Sequence, residues 1–138
     1  MTTIAWDGKT LASDSLSTFN GVRSGELKKL FRLTDGRIVG CAGDMDFMVP
    51  FIDWLEGKRE TLPDGYQMGS IVVMPDGSAR HYEEKGNYTP ADAPYAIGSG
   101  FLAALASMKC GKNAQEAVAI AAELDIYTGG KICIEELA

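Results

Sequence analysis

The chain has 138 residues, 46% of them hydrophobic and 23% charged, with a formal net charge of −6. That length and composition suit one globular domain with a real core, and an acidic chain with no basic run longer than Lys28-Lys29 lacks the electrostatic footprint for nucleic acid or an anionic membrane surface. Three widely spaced cysteines, Cys41, Cys110 and Cys133, without a CxxC pair and with one histidine, exclude a zinc pattern and suit reduced thiols in a cytoplasmic protein, and no apolar stretch approaches the roughly 20 residues of a membrane span.

The chain opens Met1-Thr2-Thr3-Ile4. Removing Met1 leaves Thr2 with a hydroxyl and a free α-amine on one residue, the N-terminal-threonine form of an activated nucleophile. A small penultimate residue suits removal by an ordinary methionine aminopeptidase, with no long propeptide. Residues 3–6 and 9–12 flank Asp7-Gly8, which predicts a hairpin with a two-residue type I′ turn and brings Thr2 near Ser13-Asp14. Residues 15–24 are polar around the turn signal Asn20-Gly21 and read as a loop or loosely paired strands. Residues 26–33 and 37–42, separated by Asp35-Gly36, predict a second hairpin. Gly40 and Gly43, at the end of that otherwise apolar strand, allow either tight packing or a bend where a ligand reaches main-chain amides.

From Asp46, the apolar residues Phe47, Met48, Phe51, Trp54 and Leu55 recur at helical spacing, with Gly57 as the stop. Pro50 is tolerable only near the start of that helix or at a kink. Residues 58–68 read as a loop, and 70–74 and 78–82 as a third hairpin about Pro75-Asp76-Gly77. His81, in that hairpin, reads as a surface strand residue. Residues 83–94 read as a loop leading into Tyr95-Ala96-Ile97-Gly98-Ser99-Gly100, and 101–109 as a helix of small residues. Asn113 and Glu116 have capping-box spacing for another helix with Ala117, Ile120, Ala121 and Leu124 on its apolar face. After the break at 125–130, residues 131–135 alternate as a last strand. Segregated runs of strands and helices imply an α+β fold with helices outside the sheets.

Six segments, in order along the chain, resemble the N-terminal-nucleophile (Ntn) hydrolases of the proteasome β-subunit and HslV type. These are Thr2-Thr3-Ile4, Ala12-Ser13-Asp14-Ser15, Lys28-Lys29-Leu30-Phe31, the run from Ile38 through Gly40 to Asp44, Gly98-Ser99-Gly100, and Asp125-x-x-Thr128-Gly129-Gly130. The resemblance implies one domain over 1–138, mature from Thr2, folded as an αββα sandwich of two antiparallel sheets with outer helices. It implies a threonine-type endopeptidase with Thr2 as nucleophile, Lys29 facing it, Asp14 beside the lysine, and the Gly40 amide on the oxyanion. Ser99, Asp125 and Thr128 would support the threonine amine. It also implies a peptide or unfolded-protein substrate, a self-compartmentalised homo-oligomeric ring, and room for an ATP-dependent unfoldase cap, with no cofactor or metal.

The residues have independent chemical reasons for these roles. An ammonium at Lys29 disfavours a second positive charge on the Thr2 amine and keeps it basic, and Asp14 supplies the partner a buried ammonium needs. An ordinary surface pair across strands is the plain alternative for Asp14 and Lys29, as helix capping is for Ser99 and Thr128. The few residues between Gly57 and Ser70 cannot supply the second long helix the family carries there, so one helical layer should be reduced. Two other functions share the pattern: an Ntn amidohydrolase acting on a small amide, because fold does not fix substrate, and an inactive shell subunit.

Overall fold

The computed structural model describes residues 2–83 and 86–137. Its strands are β1 (Thr3–Trp6), β2 (Thr10–Ser13), β3 (Leu16–Phe19), β4 (Val22–Glu26), β5 (Leu30–Arg32), β6 (Ile38–Gly43), β7 (Met68–Val73), β8 (Ala79–Tyr82), β9 (Tyr88–Pro90), β10 (Tyr95–Gly98) and β11 (Cys133–Glu136). Its helices are α1 (Met48–Leu55), α2 (Phe101–Lys109) and α3 (Ala114–Leu124). One sheet has the order β10-β1-β2-β11, the other β5-β6-β7-β8-β9, and β3 and β4 form a separate hairpin.

Strand alternation builds the layers, since successive side chains point to opposite faces. Ile4, Trp6 and Leu11 of the first sheet meet Ile38, Ile71 and Val73 of the second in the core between them. The neighbours that face outward, Ala5, Ala12 and Ala96, are small and receive Ala104, Met108, Ala117, Val118 and Ala121 of α2 and α3. On the outer face of the second sheet, Val39, Cys41 and Val72 pack against Met48 and Phe51 of α1. The result is the expected αββα sandwich. Among the described residues α1, preceded by a single 3-10 turn at Met45–Phe47, is the only α-helix on the second sheet, and residues 58–67 form none, so that layer is the reduced one.

Local chemistry explains where expectation and structure part. The β1–β2 connection is a three-residue loop in place of a two-residue type I′ turn. Asp7 accepts the N–H groups of Lys9 and Thr10 at 2.9 and 2.7 Å, and within the loop only Gly8 has positive φ. Asn20-Gly21 does hold both residues at positive φ, so the polar stretch forms the paired strands β3 and β4. The strand expected from residue 26 begins only at Leu30, because Leu27 still donates its N–H to the Ser15 carbonyl at 2.7 Å. Pro50 is the third residue of α1, where no N–H is required for the helical ladder. Residues 88–90, expected as loop, form the edge strand β9 on β8, where Arg80 stacks 4.3 Å from the Tyr88 ring centroid.

Candidate active site

Thr2 immediately precedes β1, whose partners deliver the rest of the site. Gly98 pairs with Thr3 across β10 and β1, and a Cβ on Gly98 would fall 1.9 Å from the Thr2 carbonyl oxygen. Glycine at 98, with φ +99, is therefore the condition for the Thr2 main chain to lie where it does. Ser99, next in the chain, donates its hydroxyl to Asp125 Oδ2, and the same hydroxyl lies 3.4 Å from the Thr2 carbonyl oxygen.

Asp14 follows β2 and is 1% exposed. Its Oδ1 accepts Lys29 Nζ at 3.0 Å and the Thr3 N–H at 3.1 Å. Its Oδ2 accepts the Gly129 N–H at 3.0 Å and the Leu16 N–H at 3.3 Å. Lys29, just before β5, is also 1% exposed, and its backbone carbonyl takes the Cys41 N–H at 3.0 Å. Burial lowers the Lys29 pKa, opposed by the Asp14 charge and hydrogen bond. This is a buried ion pair, not a surface pair across strands.

The loop after α3 closes the other side. Asp125 Oδ2 accepts both the Ser99 hydroxyl and the Thr128 hydroxyl, the latter at 2.6 Å, and Oδ1 accepts the Tyr127 N–H at 3.2 Å. Burial pushes the Asp125 carboxyl up, but these hydrogen bonds outweigh it and hold the group below its ordinary value. Thr128 Oγ1 lies 2.7 Å from Thr3 Oγ1, so Thr128 reaches the residue after Thr2.

Two clefts meet at Thr2, Thr18, Gly43 and Asp44. One, of about 820 Å³, runs past Gln67, His81, Glu83, Tyr95 and Ser99; the other, of about 640 Å³, runs past Leu16, Leu27, Lys29, Met45 and Met48. Thr2, Lys29 and Ser99 thus all border the same opening, with Asp14 behind the lysine and Asp125 behind the serine.

Gly40 does not border it. A Cβ there would lie 2.8 Å from Ile4 Cγ2 and 3.1 Å from Leu30 Cδ2, so this glycine allows the two sheets to pack. The N–H groups of β6 alternate: Cys41 donates to Lys29 on the β5 side, and Asp44 to Gln67 on the β7 side, at 3.4 Å. The Gly40 amide thereby belongs to the β7 ladder. The Gly43 amide points to the β5 side, beyond the residues at which β5 pairs, and Gly43 borders both clefts with Thr2. Gly43, not Gly40, is the glycine placed to offer an amide at the opening. Its φ of +122 and a virtual Cβ 3.1 Å from the Gln67 carbonyl oxygen restrict the position to glycine.

His81 is likewise in the larger cleft and not on the outer surface. Its Nδ1 is 2.6 Å from the Tyr95 hydroxyl, and burial lowers its pKa. Sequence reading missed it because a lone histidine carries no sign of which strand face lines the opening. Met1, whose removal the threonine chemistry requires, lies outside the described residues. Among those residues no helix is long and apolar enough to cross a membrane, and no group of His, Cys, Asp or Glu side chains is arranged to hold a metal ion.

No protein-family model matches the chain. By sequence, 99% of it aligns with 88% of the ATP-dependent protease subunit HslV of Caulobacter sp. (strain K31), at 28% identity over 170 aligned positions. Among solved structures, eukaryotic HslV from Trypanosoma brucei superposes with a TM-score of 0.78 at 19% identity, covering 98% of this chain and 97% of that one. BPH of Thiobacillus denitrificans gives 0.74 at 20% identity, covering 99% and 98%, both alone and in complex with epoxomicin. With that alignment over nearly its full length and this sandwich, the chain is similar to HslV in sequence and has the Ntn-hydrolase fold of the HslV and proteasome β-subunit type.

Proposed function

We propose that the chain is a threonine-type endopeptidase with Thr2 as its nucleophile. The observation that carries this reading is the buried Lys29–Asp14 pair, 3.0 Å apart, whose lysine borders the same cleft as Thr2. The catalytic unit is residues 1–138 taken as one domain, mature from Thr2. While Met1 is attached the Thr2 nitrogen is an amide; once freed it is an amine with a reference pKa of about 7.7–8.0.

The Lys29 charge disfavours protonation of that amine. The amine takes the Thr2 hydroxyl proton as Oγ bonds to the substrate carbonyl carbon, and the carbonyl electron pair moves to its oxygen. The Gly43 N–H stabilises this oxyanion, an interaction worth on the order of 3 kcal/mol. Collapse breaks the C–N bond, the amine passes its proton to the leaving nitrogen, and an ester remains on Thr2. Water, giving its proton to the same amine, then attacks the ester and releases the acid, restoring the Thr2 hydroxyl. Ser99 at the Thr2 carbonyl and Thr128 at the Thr3 hydroxyl, both tied to Asp125, hold the start of the chain in position, and none of the steps calls for a metal or cofactor.

Two arms of about 820 and 640 Å³ meeting at Thr2 favour an extended chain over a small amide as substrate. The substrate is a peptide or unfolded protein. A peptidase with so open a site needs enclosure, so the working form is a closed homo-oligomeric ring in the cytoplasm, supplied by an ATP-dependent unfoldase. The name of the Caulobacter relative, an ATP-dependent protease subunit, supports that arrangement.

The test is peptide hydrolysis together with intact mass after exposure to a peptide epoxyketone. Protein lacking Met1 should turn over and gain one inhibitor mass, Thr2→Ser should keep measurable activity, and Thr2→Ala should lose both turnover and adduct. Equal hydrolysis by Thr2→Ala, or full activity in uniformly unprocessed protein, would overturn the assignment.

A further inference from the structure

The two arms of the opening carry different charged groups. The Lys29 arm sets Leu16, Leu27, Met45 and Met48 beside Ser17, Ser24, Asp46 and Lys29 itself. The other arm is bordered by Gln67, His81, Glu83 and Tyr95, with Asp44 at the junction, and its described lining contains no lysine or arginine. Three strands build its polar wall. Thr89 of β9 hydrogen-bonds the Tyr95 hydroxyl, which lies 2.6 Å from His81 Nδ1. His81 Nε2 lies 3.5 Å from Glu83 Oε1, and the His81 and Tyr95 rings pack edge to face at 5.4 Å.

A carboxylate can only accept, so Glu83 selects the tautomer with hydrogen on Nε2, and Nδ1 accepts from Tyr95. The imidazole is 15% exposed in this arrangement. Burial keeps it neutral near pH 7, so it does not cancel the Glu83 charge. The wall consequently sets the Glu83 carboxylate beside a neutral imidazole, and among the described residues no lysine or arginine lines the arm to offset its charge.

We propose that this arm is a specificity subsite for a cationic side chain of the substrate, lysine or arginine, paired with Glu83, whose carboxylate His81 Nε2 approaches at 3.5 Å. The inference rests on the peptidase reading for its substrate class, but its recognition chemistry is separable from turnover. An acidic side chain in the arm would meet like charge at Glu83 and Asp44, which costs affinity and on-rate. Glu83 is 73% exposed, so the discrimination should weaken with salt.

The experiment uses one peptide series with lysine, arginine, glutamine or glutamate at each position flanking the cut. Turnover is measured with the active protein, and equilibrium binding with Thr2→Ala. Lysine and arginine peptides should be favoured over glutamate peptides by about tenfold in both measurements at low salt. Glu83→Gln should remove most of that ratio, His81→Gln should reduce it, and added salt should narrow it in the parent protein. Binding preference without cleavage would sink the peptidase reading and leave the subsite standing. Cleavage with no basic preference in either measurement, or a ratio unchanged by Glu83→Gln, would overturn the subsite.

Discussion

Four donors converge on one carboxylate at Asp14, and only one of them, Lys29, is charged. Asp14→Asn turns one acceptor into a donor and leaves the ammonium buried without its counter-charge, which costs about 3–5 kcal/mol in comparable pairs. Lys29→Met keeps much of the stem volume and removes the charge near Thr2. Each substitution should lower kcat/KM at least about 100-fold; full activity in either variant, measured on a fluorogenic peptide, would remove that residue from the mechanism. Asp125 adds a pH signature. Its folded pKa lies below the ordinary 3.8, so on acidification the unfolded chain takes up the proton first. The stability it contributes is complete above pH 3.8 and is lost as the pH falls through the lower folded value. Thermal melts of the parent and Asp125→Asn should differ at about pH 5 and draw together as the pH falls below the ordinary 3.8. Parallel curves across that range would mean that the carboxyl is not held by Ser99 and Thr128.

At the scale of elements, α3 positions the loop that carries Asp125 and Thr128. Asn113 accepts the Glu116 N–H at 2.8 Å, and the Glu116 side chain accepts the Asn113 N–H at 3.1 Å. A second tie comes from the β1–β2 loop, where Asp7 Oδ2 accepts the Ala114 N–H at 2.9 Å. The same aspartate thus shapes the first hairpin and fixes the start of the helix packed on it. Asn113→Ala should cost about 1 kcal/mol and lower Tm by roughly 3–6 °C in calorimetry. No loss of stability would show that the Asp7 contact alone is a sufficient cap.

At the scale of the molecule, the start of α2 meets the end of α3, where a Cβ on Gly100 would lie 3.1 Å from Ala121 Cβ, and Phe101, Leu102, Leu124 and Ile126 belong to these two ends. All four are exposed apolar residues, and exposed apolar surface that is contiguous marks an interaction site. The expected outcome is a closed homo-oligomer. Light scattering at micromolar concentration checks it, and a monodisperse monomer would end the compartment argument.

Much of this architecture was legible in the residues themselves. Hairpin turns, the capping box at Asn113 and period-two alternation are local, and local chemistry decides them. Thr2, Asp14, Lys29, Ser99, Asp125 and Thr128 stood out as a set because their motifs occur in order along the chain. Three features needed the tertiary structure. Which glycine offers its amide depends on strand register, and shifting from Gly40 to Gly43 reverses both the face and the direction of the N–H. That His81 faces the opening follows from the pairing of β8 with β7 and β9, to which a lone histidine gives no clue. Finally, Thr128 meets Thr3 because α3 returns the chain across the first sheet. Sequence by itself determined the elements and the chemical types present; long-range packing decided which atoms of those types share one space.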